Sequence, residues 1–444
     1  HHLFDGDGML HSILLPPGGG SAPATVSSRY VRTYKYNLER EAGGPVLPRT
    51  FAAFHGIAGI ARGAVTAARS ISGQMNPVNG VGVANTSLFY FANRLFALWE
   101  ADLPYAVHVS PETGDVSTIG RFDFDGSLFG PMTAHPKKDA DTGEAFAFRY
   151  SPVPPYLTYF WFDRNGNKQQ DVPIFSMETA AFVHDFAVTK RHAVFTDIQI
   201  VMNPTDILFG SGSAVSADKA KVSRVGILPR YANSDREIRW FDVPGFNPIH
   251  IINAWEDEDD AVVLVAPNCL SVEHAFECAD MIHCLVEIVR IDLRTGSVSR
   301  RPVAAENLEF GAINQKYVGK KNRYVYIGMG NPHPKISGIV KLDLEASGSD
   351  AVVGKREFGE GCFGGEPFFV ANDVDIGNPG IREGEQEEDD GFVLTYVHDE
   401  KRDQSKFLVM DAKSPELDIV AEVLLPRRVP YGFHGTFIRE KDLE

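Results

Sequence analysis

Short runs of β-branched and aromatic residues, apolar positions alternating with polar ones, fill most of the chain, and a turn signal closes each run. AFAFRY before YLTYFWFD, LVEIVRIDL before SVSRRPV, and FVLTYVHD before KFLVMDA and LDIVAEVLL predict antiparallel hairpins. Turns are expected at Glu112-Thr113-Gly114, Asp141-Thr142-Gly143, Asn165-Gly166 and Arg294-Thr295-Gly296. No strict sequence period accompanies them, which argues against a repeat family of the WD40 kind. Hairpins sustained over several hundred residues must still hide their edges, and radial repetition does this. The expectation is an all-β chain, a β-propeller forming a single domain over residues 1–444, with a centre suited to a metal held by histidines from different blades.

A few stretches break the pattern. Phe51 to Ile71, with its glycines and alanines, suits a small-residue helix or a loop, and Ser271 to Val286 has helical spacing. The acidic runs Glu256 to Asp260 and Glu383 to Asp390 read as solvated loops, and Gly210 to Asp218 as a mobile loop. None of these marks a domain boundary. His11 to Leu15 reads as a strand with no earlier strand to pair with, so the N-terminal part of the domain is expected to be missing.

Composition narrows the chemistry. With 43 basic against 59 acidic residues, the net charge of −16 argues against a nucleic-acid partner held through its phosphates. Cys269, Cys278, Cys284 and Cys362 lack the close pairing of zinc ribbons or disulfide frameworks, which leaves a reducing compartment as the default. No apolar run reaches the roughly 20 residues needed to cross a bilayer, and the opening residues do not resemble a signal or transit peptide.

Of 14 histidines, four stand in apolar or turn-forming settings. They are His135 in PMTAHP, His184 in AFVHDF, His250 in FNPIHIINAW and His434 in VPYGFHGTF. The others, His192 among them, suit surface or hydrogen-bonded structural roles. Glu100, Glu309 and Glu366 lie in apolar, turn-like surroundings and could each accept the second ring N–H of a metal-bound imidazole. Four imidazoles suit iron, zinc, copper and nickel, so the donors do not name the metal. Phe182, Ile249 and Phe433 adjoin the candidate ligands and are the expected substrate-lining residues.

The motifs FDGDGM, EADLPY, AHPKKDADTGEAFAFRY, HDFAVTKRHAVF, INAWED, NRYVY, PKISGIVKLD, GGEPFFV, FLVMDAKSPEL and VPYGFHGTF make the chain resemble the plant carotenoid cleavage dioxygenases over nearly its whole length. AFAFRYSPVPPYLTYFWFD, KVSRVGILPRYA and RWFDVPGFN are similar to the subgroup called carotenoid cleavage dioxygenase four.

The resemblance implies a seven-bladed propeller, with a few helices and loops capping one face. On its axis it implies a catalytic non-haem Fe(II) bound by His135, His184, His250 and His434, with Glu100, Glu309 and Glu366 behind them. It further implies oxidative cleavage of one polyene double bond of a carotenoid or apocarotenoid by O2, at the 9,10 (9′,10′) bond, giving two carbonyl products. A peripheral membrane or lipid-droplet contact and a plastid location, in chloroplast or plastoglobule, come with it. Two alternatives stay open. One is a nine-cis-epoxycarotenoid dioxygenase of abscisic acid synthesis; the other is a non-catalytic carotenoid-binding propeller whose metal is structural.

Overall fold

The computed structural model describes residues 3–16, 23–47, 68–69, 71–73, 75–202, 215–274, 281–330, 333–372 and 386–443. Over the described residues the chain is all-β with few helices. Six four-stranded antiparallel meanders follow one another. The first comprises Ser87–Phe91, Arg94–Leu98, Tyr105–Val109 and Val116–Arg121, and the second Lys137–Lys138, Ala145–Tyr150, Leu157–Phe162 and Val172–Ile174. Ala187–Val188, His192–Asp197, Arg224–Pro229 and Arg239–Asp242 form the third; Asn253–Asp257, Ala261–Cys269, Cys284–Asp292 and Val298–Pro302 form the fourth. The fifth is Leu308–Ala312, Tyr324–Gly330, Ile336–Asp343 and Val352–Glu357, and the sixth Phe368–Ala371, Gly391–Asp399, Gln404–Asp411 and Ile419–Leu424. The short strand Cys362–Gly364 joins these last two into one sheet. A further pair, Met9–Leu14 with Thr25–Tyr30, stands apart.

The turns explain why these strands fold back. Asp139, Asp163 and Asp292 each take two or more backbone N–H groups of the following turn on one carboxylate oxygen, as Asp292 does from Arg294 and Thr295 at 2.8 Å. Gly143 and Gly296 then reverse the chain at φ 75° and 78°, a conformation that a side chain would strain. These contacts are local, which is why the turns can be read from sequence.

Both faces of the inner strands are buried. In the second meander Phe146, Phe148, Leu157 and Tyr159 pack towards the third, whereas Ala145, Ala147, Phe160 and Phe162 pack with Phe91, Phe96 and Leu98 of the first. The fourth repeats the arrangement: Val262, Leu264 and Ala266 meet the third meander, and Val263 and Val265 meet the fifth. Tyr326 and Ile339 carry the fifth onto the sixth. Ile13 and Val26 of the separate pair pack against Leu394 and Phe407 of the sixth, while Leu10 packs with Leu95 and Val107 of the first. Each meander thus has an apolar neighbour on either side, and alternation along the strand decides which residue faces which neighbour.

Several expectations change. The strand expected at His11 to Leu15 pairs with the strand after it, Thr25–Tyr30. Ser271 to Val286 is not one helix: Val272–His274 is a 3-10 turn, Cys284 begins a strand, and residues 275–280 lie outside the described residues. Ile288, Val289 and Ile291, paired on both sides, and Val286, paired with Pro267, follow their β preference. Of Gly210 to Asp218, residues 210–214 lie outside the described set and Val215–Ala217 is a strand against Ile200–Met202. Phe51 to Ile71 falls almost wholly outside it.

The acidic runs are not simply solvated. Glu258 to Asp260 are exposed, but Glu256 lies within the strand Asn253–Asp257 and accepts the backbone N–H groups of Lys190 and Arg191 at 3.2 and 3.0 Å. Glu388 accepts those of Arg323 and Tyr324, at 2.8 and 2.7 Å, and Asp389 pairs with Lys341 at 2.5 Å. Unpaired backbone donors at neighbouring meanders recruit these carboxylates, which spacing within the runs cannot reveal.

Candidate metal centre

Successive meanders bring their polar residues in at one place, the entry to the first strand. His135 lies two residues before Lys137–Lys138, and His184 and His250 lie three before Ala187–Val188 and Asn253–Asp257. Glu309 is in the first strand of the fifth meander, and Glu366 lies two residues before that of the sixth. Glu100 follows the second strand of the first meander. His434 arrives on the C-terminal segment, its backbone N–H donating to the Thr86 carbonyl at 3.4 Å.

The four imidazoles converge. One nitrogen from each of His135, His184, His250 and His434 lies within 4.8 Å of the others, and all four rings are half-buried. Ring centroids are 4.5 Å apart for His135 with His184 and with His434, and 4.9 Å for His250 with His434. Three outer nitrogens meet carboxylates: Nδ1 of His250 is 2.8 Å from Glu309, Nδ1 of His434 is 2.8 Å from Glu366, and Glu100 lies against Nδ1 of His184. Such a partner fixes the Nδ1–H tautomer and leaves the Nε2 lone pair facing inward. His135 has no carboxylate among these three.

The carboxylates are themselves held. Glu309 also accepts the Phe310 N–H at 2.6 Å, Glu366 the Gly435 N–H at 3.1 Å, and Glu100 the Tyr150 hydroxyl. Burial first, then the charge of Glu100, pushes the Tyr150 hydroxyl well above its ordinary range and keeps it a donor. Burial, reinforced by the three neighbouring imidazoles, holds His135 well below the ordinary histidine value, in the neutral form a metal requires. Burial is the largest influence on His250 and would lower it as well, but the charge and hydrogen bond of Glu309, together with the charges of Asp185 and Glu366, outweigh it and raise that imidazole.

The donor set fits a divalent transition metal. His250 Nε2 is buried with no hydrogen-bond partner, facing the other three rings, and a buried ring nitrogen left so is unfavourable unless something else occupies it. Four neutral nitrogens with carboxylates behind three of them is the chemistry of a borderline-soft cation.

Two residues that spacing did not single out shape the site. Asp185, buried beside His184, accepts the backbone N–H groups of Phe186 and Ile251, each at 2.7 Å, and pairs with Lys137 at 2.7 Å. It thereby links the segments carrying His135, His184 and His250. Phe310 takes φ 60°, in the left-handed region, where the fifth meander's first strand shifts register between Glu309 and Ala312. The bulge turns Glu309 towards His250 and places the Phe310 ring 5.3 Å from His250 and 5.6 Å from His434. A glutamate and a phenylalanine followed by glycine inside a strand run was the available signal for it.

An apolar cavity opens onto three of the rings, those of His184, His250 and His434. Phe182, Ile249 and Phe433 all line it, together with Trp99, Ile282 and Phe310. Phe182 stacks on His184 at 5.6 Å and 11°, and Phe433 packs on Phe4 at 5.2 Å. His192, by contrast, lies with Glu256, its Nδ1 3.0 Å from that carboxylate, and is not among the four clustered rings.

Comparison with known proteins gives concordant relatives. Residues 1–439 match the retinal pigment epithelial membrane protein family. The whole chain is 59% identical to 9-cis-epoxycarotenoid dioxygenase NCED1, chloroplastic, of Oryza sativa subsp. japonica, covering 69% of it. It is also 59% identical to the probable carotenoid cleavage dioxygenase 4, chloroplastic, of Arabidopsis thaliana, covering 73%. Over 83% of the chain it is 54% identical to the zeaxanthin 7,8(7′,8′)-cleavage dioxygenase, chromoplastic, of Crocus sativus, covering 99% of that protein. Among solved structures, a variant of the Synechocystis apocarotenoid oxygenase superposes with TM-score 0.78 at 25% identity, covering 98% of this chain and 87% of that one. The cobalt-substituted form of that oxygenase gives TM-score 0.75 at 25% identity, with the same coverage of each chain.

Proposed function

The chain belongs to the retinal pigment epithelial membrane protein family, and on that premise we propose that it is a dioxygenase cleaving one double bond in the polyene of a carotenoid or apocarotenoid, with Fe(II) held by His135, His184, His250 and His434. The observation that carries the reading is the unpartnered His250 Nε2 among three other imidazoles at the end of an apolar cavity. The metal would supply the activation of O2. The protein supplies everything else. Glu100, Glu309 and Glu366 hold three rings in the donor tautomer, and the cavity takes an extended hydrocarbon and keeps water from it. Phe182, Ile249, Phe310 and Phe433 set the depth to which the polyene enters, and so which bond lies over the four rings. No general acid or base is needed, because both oxygen atoms end in carbonyl groups.

We read the architecture as a seven-bladed propeller in one domain over residues 1–444, with the metal at its axis. Support for this comes from the six successive meanders, the seventh place taken by the Met9–Leu14 pair, and the apolar packing that runs from each to the next. The plastid is its location, as it is for the chloroplastic and chromoplastic relatives. Contact with a membrane or lipid droplet is part of the same proposal.

Cleavage at the 9,10 (9′,10′) bond is the reading we favour, as in the related carotenoid 9,10(9′,10′)-cleavage dioxygenase 1. Cleavage of a nine-cis-epoxycarotenoid is the competing one, and equal identity to both kinds of relative keeps it in view. The test is metal content together with O2-dependent loss of carotenoid absorbance, with products separated by chromatography. Bleaching at one iron per chain supports the dioxygenase, and product length identifies the bond. Bound metal and bound carotenoid without bleaching would instead make the chain a binding protein.

A further inference from the structure

Cys269 and Cys284 face each other across the two longest strands of the fourth meander, as directly opposed residues. Their own N–H groups point away from the pair. That of Cys269 donates to the Asn247 carbonyl at 3.2 Å and that of Cys284 to Asn307 Oδ1 at 2.8 Å, while the adjacent Leu270 N–H donates to the His283 carbonyl at 2.9 Å. The cysteines therefore occupy a non-hydrogen-bonded position of the antiparallel ladder. Opposed Cα atoms there stand about 4.5 Å apart, inside the roughly 4.4–6.8 Å span of disulfides.

The two thiols are free and buried. Cys284 also forms part of the wall of the apolar cavity, alongside His250 and Glu309, and it is tied through Asn307 to the start of the strand that carries Glu309. A buried cysteine pair inside a sheet would ordinarily be inert; this one has a route from solvent or substrate.

We propose that Cys269 and Cys284 form a reversible two-electron oxidation site that is closed to a cross-strand disulfide by a peroxide entering the cavity. The Cys284 sulfur attacks one peroxide oxygen and the O–O bond breaks, leaving a sulfenic acid and, from hydrogen peroxide, one water. The Cys269 sulfur then displaces the hydroxyl as a second water, so the S–S bond forms, the thiol protons leave in water, and two electrons have passed to the peroxide. A dithiol reductant reverses the step.

The test treats the metal-loaded chain with hydrogen peroxide, blocks remaining thiols with N-ethylmaleimide, and maps peptides by mass spectrometry without reduction. It is run on the natural sequence and on a Cys278→Ser, Cys362→Ser variant, so that a folding defect in the variant cannot decide the result. The expected product joins the peptides of Cys269 and Cys284, is lighter by two hydrogens, and reverts with dithiothreitol. Filling the cavity with an apocarotenoid should slow its formation several-fold. The proposal is overturned if both thiols survive a dose that fully oxidises free glutathione, if Cys284 goes alone to the sulfinic acid, or if Cys278 is the partner. Crosslinking at an unchanged rate with the cavity filled would overturn the cavity route.

Discussion

The carboxylate of Asp185 accepts the backbone N–H of Ile251 at 2.7 Å, joining the residue after one candidate ligand to the residue after another across a separation of 66 in the chain. Lys137, two residues beyond a third candidate ligand, completes the arrangement. Asp185→Ala leaves the mostly buried Lys137 without its partner and two N–H groups without an acceptor. A loss of about 3–5 kcal/mol is expected, with weaker metal retention. Asp185→Asn, which can still accept from Ile251, should fall between Ala and the natural residue. Urea unfolding and metal per chain after dialysis check both, and natural-like values in the Ala variant would remove the brace from this account.

Glu366→Gln changes a hydrogen-bond acceptor of His434 into a group of which half is a donor. Metal affinity should drop by about 10–100-fold. His192→Gln, which touches Glu256 instead, should keep its metal and change only stability. Competition with a chelator of known affinity reads the difference; indistinguishable curves for the two variants would mean that the roles are wrongly divided.

Gly311 follows the bulge at Phe310. A Cβ there would lie 2.6 Å from Cγ1 of Ile252, two residues from His250. Gly311→Ala should therefore destabilise by about 1–3 kcal/mol and move Glu309 relative to His250. A cobalt-loaded variant with an unaltered visible spectrum and an unaltered unfolding midpoint would contradict this.

Glu256 gives the pH dependence a sign. Burial alone would raise its carboxyl, but hydrogen bonds from His192, Thr189 and the Arg191 N–H lower it below the ordinary 4.5. A folded-state value below the unfolded one contributes stability at all pH above 4.5, and that stability is lost as pH falls through the folded value. Glu256→Gln should accordingly lower the melting temperature at pH 7, with the gap to the natural protein closing under acid conditions. Thermal melts in matched ionic strength test it, and a gap that widens in acid would reverse the assignment.

Much of the secondary structure could be read directly. Asp139 to Gly143 and Asp292 to Gly296 close their turns through contacts a few residues long, so the residues that build the turn are the residues that announce it. Where the rule failed, a distant partner had intervened. Glu256 and Glu388 looked solvated because the backbone donors they serve lie 64–66 residues away. Cys284 to Val286 looked helical because the strands on either side of them cannot be seen in a local window.

The candidate site divides in the same way. The side-chain chemistry of His135, His184, His250 and His434, the presence of buried glutamates and the strand and turn periodicity are properties of residues and their immediate neighbours, and the chain itself determines them. Which glutamate stands behind which imidazole, the brace at Asp185, the bulge at Phe310 and the opposition of Cys269 to Cys284 belong to the packed meanders. Each depends on the register and stacking of sheets whose strands are far apart in sequence. A one-residue change of register would turn those side chains to the opposite face.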